Sequence, residues 1–200
     1  MAADQIEPRP AVSTTRRRLR WLAIVVAIMA LLTAGWPLLN SAVDNRQPLA
    51  AGSRLTVGTA PASAADVTVG PGWSVLPAQS NPVQGYVLQK GGLLLYLTHV
   101  SLVDRNQVPR LWPGLRRILS VNHPGSRLSR PAFITTAHGL RAITGVVVGT
   151  RVTGTATIFP GPSREFAIVI IALAPRHTSP ALRAATARII ASLMFKAQSR

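Results

Sequence analysis

The residues able to do chemistry are few in this chain, and their spacing decides what they could do. Four histidines stand at positions 99, 123, 138 and 177, at separations that match no short metal-ligand motif. Beyond residue 40 the carboxylates are Asp44, Asp66, Asp104 and Glu165, too scattered to read as a general acid and base flanking one bond. Cysteine is absent, which removes disulfides, thiolate metal sites and cysteine nucleophiles, and is compatible with an oxidising compartment. No nucleophile elbow, Ser-x-x-Lys pair, phosphate-binding glycine loop or His-Glu-x-x-His helix occurs. His99, Ser101 and Asp104 lie close in sequence. Residues 99 and 101 share a strand face but Asp104 has the opposite parity, and a nucleophilic triad is not built along one strand. His99 therefore reads as a strand residue on the face of Leu95 and Leu97, and His138 as a turn residue. The sequence assigns no catalytic residue, no metal ligand and no cofactor.

The remaining charged groups are cationic. Lys and Arg number 22 against 6 Asp and Glu, for a formal net charge of +16. Such a surface attracts polyanions: nucleic acid, anionic lipid or acidic envelope polymer. Arg105, Arg110, Arg116 and Arg117 cluster around a mid-chain helix and form the candidate site for an anion or a partner. Trp73 and Trp112 are the large aromatics outside the N-terminal apolar run; they read as core residues, with a binding surface as the alternative because tryptophan is enriched at interface hot spots.

Which polyanion the domain could meet depends on topology. From Trp21 to Leu39 the chain runs without a charge, long enough to cross the roughly 30 Å hydrocarbon layer as a helix. Trp21 and Trp36 mark its ends, where indole rings favour the lipid–water interface. The run exceeds the apolar region of a cleavable signal, and the one good small-x-small site, Ala62-Ser63-Ala64, lies far beyond it. The flank holding Arg16, Arg17, Arg18 and Arg20 is richer in arginine than residues 40–59, which places the N-terminus inside and the rest outside. Each of those arginines can hold an anionic lipid head for about 1 kcal/mol. The chain then divides into a basic cytoplasmic tail (1–20), a transmembrane helix (21–39), a Ser/Gly/Pro-rich linker (40–65) and an extracytoplasmic domain (66–197).

The elements that must position the arginines are mostly strands. Val67–Val69 and Trp73–Leu76 are short extended stretches, and Leu55–Val57 inside the linker could add another. "GYVLQKGGLLLYLTHVSLV" reads as a hairpin, with Tyr86–Gln89 turning at Lys90-Gly91-Gly92 into a strand from Leu93 to about Val103. "FITTAHGLRAITGVVVGT" repeats the design with a turn at Ala137-His138-Gly139. Arg151–Phe159 and Glu165–Leu173 follow as a pair, so that successive short connections make an antiparallel meander. One helix is expected from about Trp112 to Val121, with Pro113 early in it. A second is expected over Ala181–Phe195, with Ser179 as N-cap and Pro180 at its first position. The fold class is α+β: an antiparallel meander sheet flanked by helices.

In this order of elements, from Gly72-Trp73 through hairpin, mid-chain helix and meander to the final helix "ALRAATARIIASLMF", the chain resembles the PsbP-like fold. That fold, named for an extrinsic photosystem subunit, also occurs in exported actinobacterial proteins of the LpqN type. The resemblance covers roughly residues 66–197 and implies an α/β/α sandwich with a binding or assembly role rather than catalysis. It carries no functional residue over, and the lipid-modified cysteine of the LpqN type is replaced here by a helix.

The expectation is therefore a single-pass, membrane-anchored binding or scaffolding protein of the bacterial envelope. It would touch lipid through its anchor and engage another envelope protein or an anionic envelope polymer. An envelope enzyme of hydrolase type, its site assembled from residues distant in sequence, is the first alternative. A nucleic-acid binder is the second. It requires the inverted, cytoplasmic topology, and neither a recognition motif nor the 5% aromatic content supports it.

Overall fold

The structure, a computed structural model, describes residues 46–59, 63–102 and 107–196. The apolar run and its flanks, including Arg16, Arg17, Arg18, Arg20, Trp21 and Trp36, lie outside the described residues, as does Arg105. Among the described residues no helix is long and apolar enough to cross a membrane.

The folded unit begins at Arg46. The stretch read as a linker carries two strands, β1 (Gln47–Pro48) and β2 (Ser53–Val57), so the 40–65 reading is corrected at its C-terminal side. β2 pairs antiparallel with β3 (Ala65–Val69), and Val57, Ala65, Val67 and Val69 are buried between them and the main sheet. The strand expected around Leu55–Val57 is therefore present as β2, with Leu55 and Val57 supplying its apolar face.

The main sheet also contains β4 (Ser74–Val75), β5 (Gly85–Lys90), β6 (Leu93–Ser101), β7 (Arg127–Leu128), β8 (Ala132–Thr135), β9 (Arg141–Val148), β10 (Val152–Pro160) and β11 (Phe166–Pro175). Its order is β1-β4-β5-β6-β11-β10-β9-β7, with β8 also on β9. The β5–β6 hairpin turns on Gly91-Gly92, and Gly91 has a φ of +56°, the geometry whose twist suits two antiparallel strands. β9, β10 and β11 form the expected meander. β11 then docks beside β6, with Ile170 opposite Leu97, and becomes an interior strand. This explains its unbroken apolar run, since a strand covered on both faces has no polar alternation.

Helix α1 (Val108–Asn122) starts a turn earlier than expected. Pro109 occupies the early position assigned to Pro113, where a missing N–H costs least; Pro113 lies inside the helix and leaves the Pro109 carbonyl without its usual donor. Helix α2 (Pro180–Ala191) begins as expected, with the Leu182 N–H donating to Ser179 Oγ at 3.3 Å. It ends four residues early. Ser192 accepts from the Thr68 N–H at 2.9 Å, Leu193 turns into the core, and Met194–Phe195 become strand β12 on β3. An unpaired strand edge recruits these residues away from the helix.

Two hydrophobic cores lie on opposite faces of the sheet. On one, Leu95, Leu97, Ile168 and Ile170 pack under β2–β3–β12 and α2, with Ile189 and Leu193 inserted. On the other, Ala156, Ile158, Ala167 and Val169 pack under Trp112, Leu115 and Leu119 of α1. Each fully buried Leu or Ile contributes about 1.5–3 kcal/mol. The molecule is a sheet-dominated α+β fold with α1 on one side and α2 with the small sheet on the other.

Candidate functional site

The arginines singled out from sequence sit on α1. The helix is amphipathic: Trp112, Leu115 and Leu119 face the sheet, while Arg110, Arg116 and Arg117 are exposed. Arg110 and Arg117, seven residues apart, stand on one outward line about 10.5 Å apart along the axis, and Arg116 lies to one side. Ile118 and Val121 are exposed beside them, 56% and 69% respectively, so the outward face is basic and apolar together. Among the described residues the carboxylates are Asp66 and Glu165. Asp66 is committed elsewhere: it accepts from Thr56 Oγ1 at 2.6 Å and faces Lys196 Nζ at 3.7 Å. Within the described residues, none of the three α1 arginines is ion-paired to a carboxylate.

Trp112 fixes α1 against the sheet. Its ring lies over Gly145 of β9, where an added Cβ would come within 2.7 Å of Trp112 Cζ2 and of Ser129 Oγ. The indole N–H donates to the Ser129 carbonyl at 3.3 Å. Both tryptophans are core residues, Trp73 at 1% exposure and Trp112 at 4%.

Sequence reasoning misses a cleft that opens beside Trp112. It measures about 950 Å³ and is lined by Val108 and Pro109 of α1, Phe133 of β8, and the arginines Arg141 and Arg164. Phe133 is 83% exposed at its edge. Arg164 closes the β10–β11 turn, its N–H donating to the Gly161 carbonyl at 2.9 Å, and holds a φ of +57°. That left-handed conformation suits Gly or Asn and costs another residue about 1–2 kcal/mol. Arg141 is the second basic residue of the same lining. A "Gly-Pro-Ser-Arg" turn gives no hint of this from sequence.

A second cleft, about 650 Å³, lies on the opposite face between α2 and strands β9–β11. Its walls are mostly threonine and alanine, with Leu93, Ile134, Val146 and Ile190, and Arg183 is its one charged lining residue.

His99 does sit on the face of Leu95 and Leu97, stacked on Phe166 with ring centroids 5.3 Å apart. Its Nε2 is enclosed and has no hydrogen-bond partner among the described residues. Burial lowers its pKa below the ordinary histidine value, and a hydrogen bond with the Ser63 backbone partly opposes this. Asp104 lies outside the described residues, and Ser101 is exposed at the strand end. His138 occupies the expected turn between β8 and β9. Among the described residues no group of three or more His, Asp or Glu side chains could hold a metal ion.

No protein-family model matches the chain, and no curated protein matches it in sequence. Solved structures do. Cyanobacterial PsbP (CyanoP) from Synechocystis superposes with a TM-score of 0.52 at 8% identity, covering 74% of this chain and 95% of that one. The Ran-binding protein Mog1p of Saccharomyces cerevisiae gives 0.48 at 11% identity, over 72% of this chain and 96% of its own. The architecture is the PsbP-like fold. At these identities the likeness is one of fold, and function has to be argued from the site.

Proposed function

We propose that the protein is a membrane-anchored binding or scaffolding module of the bacterial envelope. In this reading residues 21–39 span the membrane with Arg16, Arg17, Arg18 and Arg20 inside, and the PsbP-like domain outside presents α1 to an anionic polymer or an acidic partner. The observation that carries it is the outward face of α1, where Arg110, Arg116 and Arg117 stand without a carboxylate partner among the described residues. Exposed cations of this kind release counterions when they meet a polyanion, so binding weakens as salt rises.

The test uses the full chain in nanodiscs of zwitterionic lipid, titrated with poly(glycerol phosphate) at several salt concentrations. Affinity should fall steeply with salt, and the double reversal Arg116→Glu/Arg117→Glu should weaken it about ten-fold or more. Unchanged affinity on reversal would remove α1 as the binding face. The topology has its own test in a chain that lacks cysteine. A membrane-impermeant maleimide should label Lys196→Cys but not Ala11→Cys in intact cells whose outer layers admit it; labelling of neither until lysis would place the domain inside.

A further inference from the structure

We infer that the cleft between α2 and the sheet is a binding site for a single-chain anionic amphiphile, held by its alkyl chain along β9–β10 and by its head group at Arg183. The space exists because the residues around it are small. On the sheet most of the floor is Thr144, Thr153, Thr155, Thr157, Ala172 and Ala174, with Leu93 and Val146 at its margins; on the helix the roof is Thr186, Ala187 and Ala191 with Ile190 between them. Elsewhere on the same sheet face the residues are Leu95, Leu97, Ile168 and Ile170, and Ile189 of the same helix fills the gap above them. A helix that packs tightly at one edge and leaves about 650 Å³ at the other has room within the range of small-molecule pockets, roughly 300–1,000 Å³.

The wall is apolar in effect despite its threonines. Thr144 Oγ1 bonds to the Ala156 carbonyl at 3.3 Å and pairs with Thr157 Oγ1 at 3.0 Å. Thr153 Oγ1 donates to the Val147 carbonyl and Thr186 Oγ1 to the Leu182 carbonyl. With those hydroxyls returned to the protein, the lining offered to a ligand is predominantly apolar. A bound alkyl chain would gain dispersion contacts along such a wall.

Two observations select the occupant. Arg183 is the one charged residue of the lining, exposed, with no carboxylate ion-paired to it among the described residues. One cation at the end of an apolar trough calls for one anionic group at the end of an apolar body. The trough also continues: Val146 and Val148, on the same face of β9 as Thr144, are 49% and 51% exposed. An extended chain follows such a track, whereas a compact ring would not reach it.

The experiment uses the full chain in nanodiscs and a hexadecanoic acid carrying a diazirine near the end of its chain, with adducts mapped by mass spectrometry. Labelling should fall on residues 134–137 and 190–191, away from the head group at Arg183. Thr155→Phe, which fills the trough, should abolish it; Arg183→Glu should reduce it about ten-fold at limiting probe, as should replacing the carboxylate by an alcohol. Thr155→Val keeps the shape and should keep the labelling, so this variant and Arg183→Glu decide the matter if Thr155→Phe does not fold. Competition by unlabelled hexadecanoate or by a lysophosphatidate identifies which head group is preferred, and either sustains the site. Competition by inorganic phosphate alone overturns it, as does labelling that Thr155→Phe and Arg183→Glu leave unchanged. A two-chain particle that Thr155→Phe reduces to one chain also overturns it, by showing a second copy over the cleft.

Discussion

The same strands, β9 and β10, build two unlike surfaces. Their residues facing α1 are Ile143, Gly145, Val147, Ala156 and Ile158, and Trp112 descends onto Gly145 to close the layer. Their residues facing α2 are Thr144, Val146, Thr153, Thr155 and Thr157; Ile190 of α2 reaches the cleft above them, but no aromatic ring closes it. The alternation of a strand puts successive residues on opposite faces, so one short sequence can specify a sealed core and an open trough at once. Whether a sheet face becomes core or site depends on what the opposing helix brings. α1 brings a tryptophan; over the cleft α2 brings Thr186, Ala187 and Ala191 with a single isoleucine, Ile190.

The sharpest way to break this contrast is to remove what seals the α1 face. Trp112→Ala leaves a void under the helix and the Ser129 carbonyl without its donor, and should cost about 3–5 kcal/mol in urea unfolding. A loss comparable to that of a surface change would mean the layer is not closed by Trp112.

A second test concerns the packed half of the α2 side, where His99 stacks on Phe166 and Phe166 meets Phe195 edge-on. Burial holds the folded pKa of His99 below its unfolded value near 6.5. Above that value both states carry the neutral ring and there is no effect. As the pH falls through 6.5 the unfolded state takes up the proton first, so stability drops until the lowered folded pKa is passed, then levels off. His99→Gln should flatten this step in melts recorded between pH 8 and 5. An unaltered step would assign it to other groups.

The smallest effect belongs to the trough. Thr155→Val exchanges a partly exposed hydroxyl for a methyl of the same shape, and should change stability by less than about 0.5 kcal/mol in the same unfolding assay. A loss above 1–2 kcal/mol would show that the hydroxyl is bound into the fold, and the two faces would then be more alike than their composition suggests.

Much of the scaffold was legible in the sequence. The Lys90-Gly91-Gly92 turn between two strand-like stretches disclosed the first hairpin, and Ser179-Pro180 disclosed where α2 starts. These signals are local, set by backbone geometry and strand period. What was hidden is set by distant partners. The insertion of β11 beside β6 follows from a pairing across the chain, and the early end of α2 follows from the demand of β3 for a neighbour. The candidate arginines were half legible: charge marks Arg110, Arg116 and Arg117. Arg141, Arg164 and Arg183 come into play only once folding sets them against clefts. The trough itself was silent, because threonines at alternate positions read as an ordinary solvent face.

The strand β12 has a consequence in time rather than in space. It pairs Met194 with Asp66, and Ser192 bonds to Thr68 across 124 positions of sequence. A chain made from its N-terminus displays β3 long before its outer neighbour exists, and contacts of such separation slow folding. Until Met194 and Phe195 arrive, β3 offers an open edge to any passing strand, so the nascent domain is exposed to mispairing in that interval.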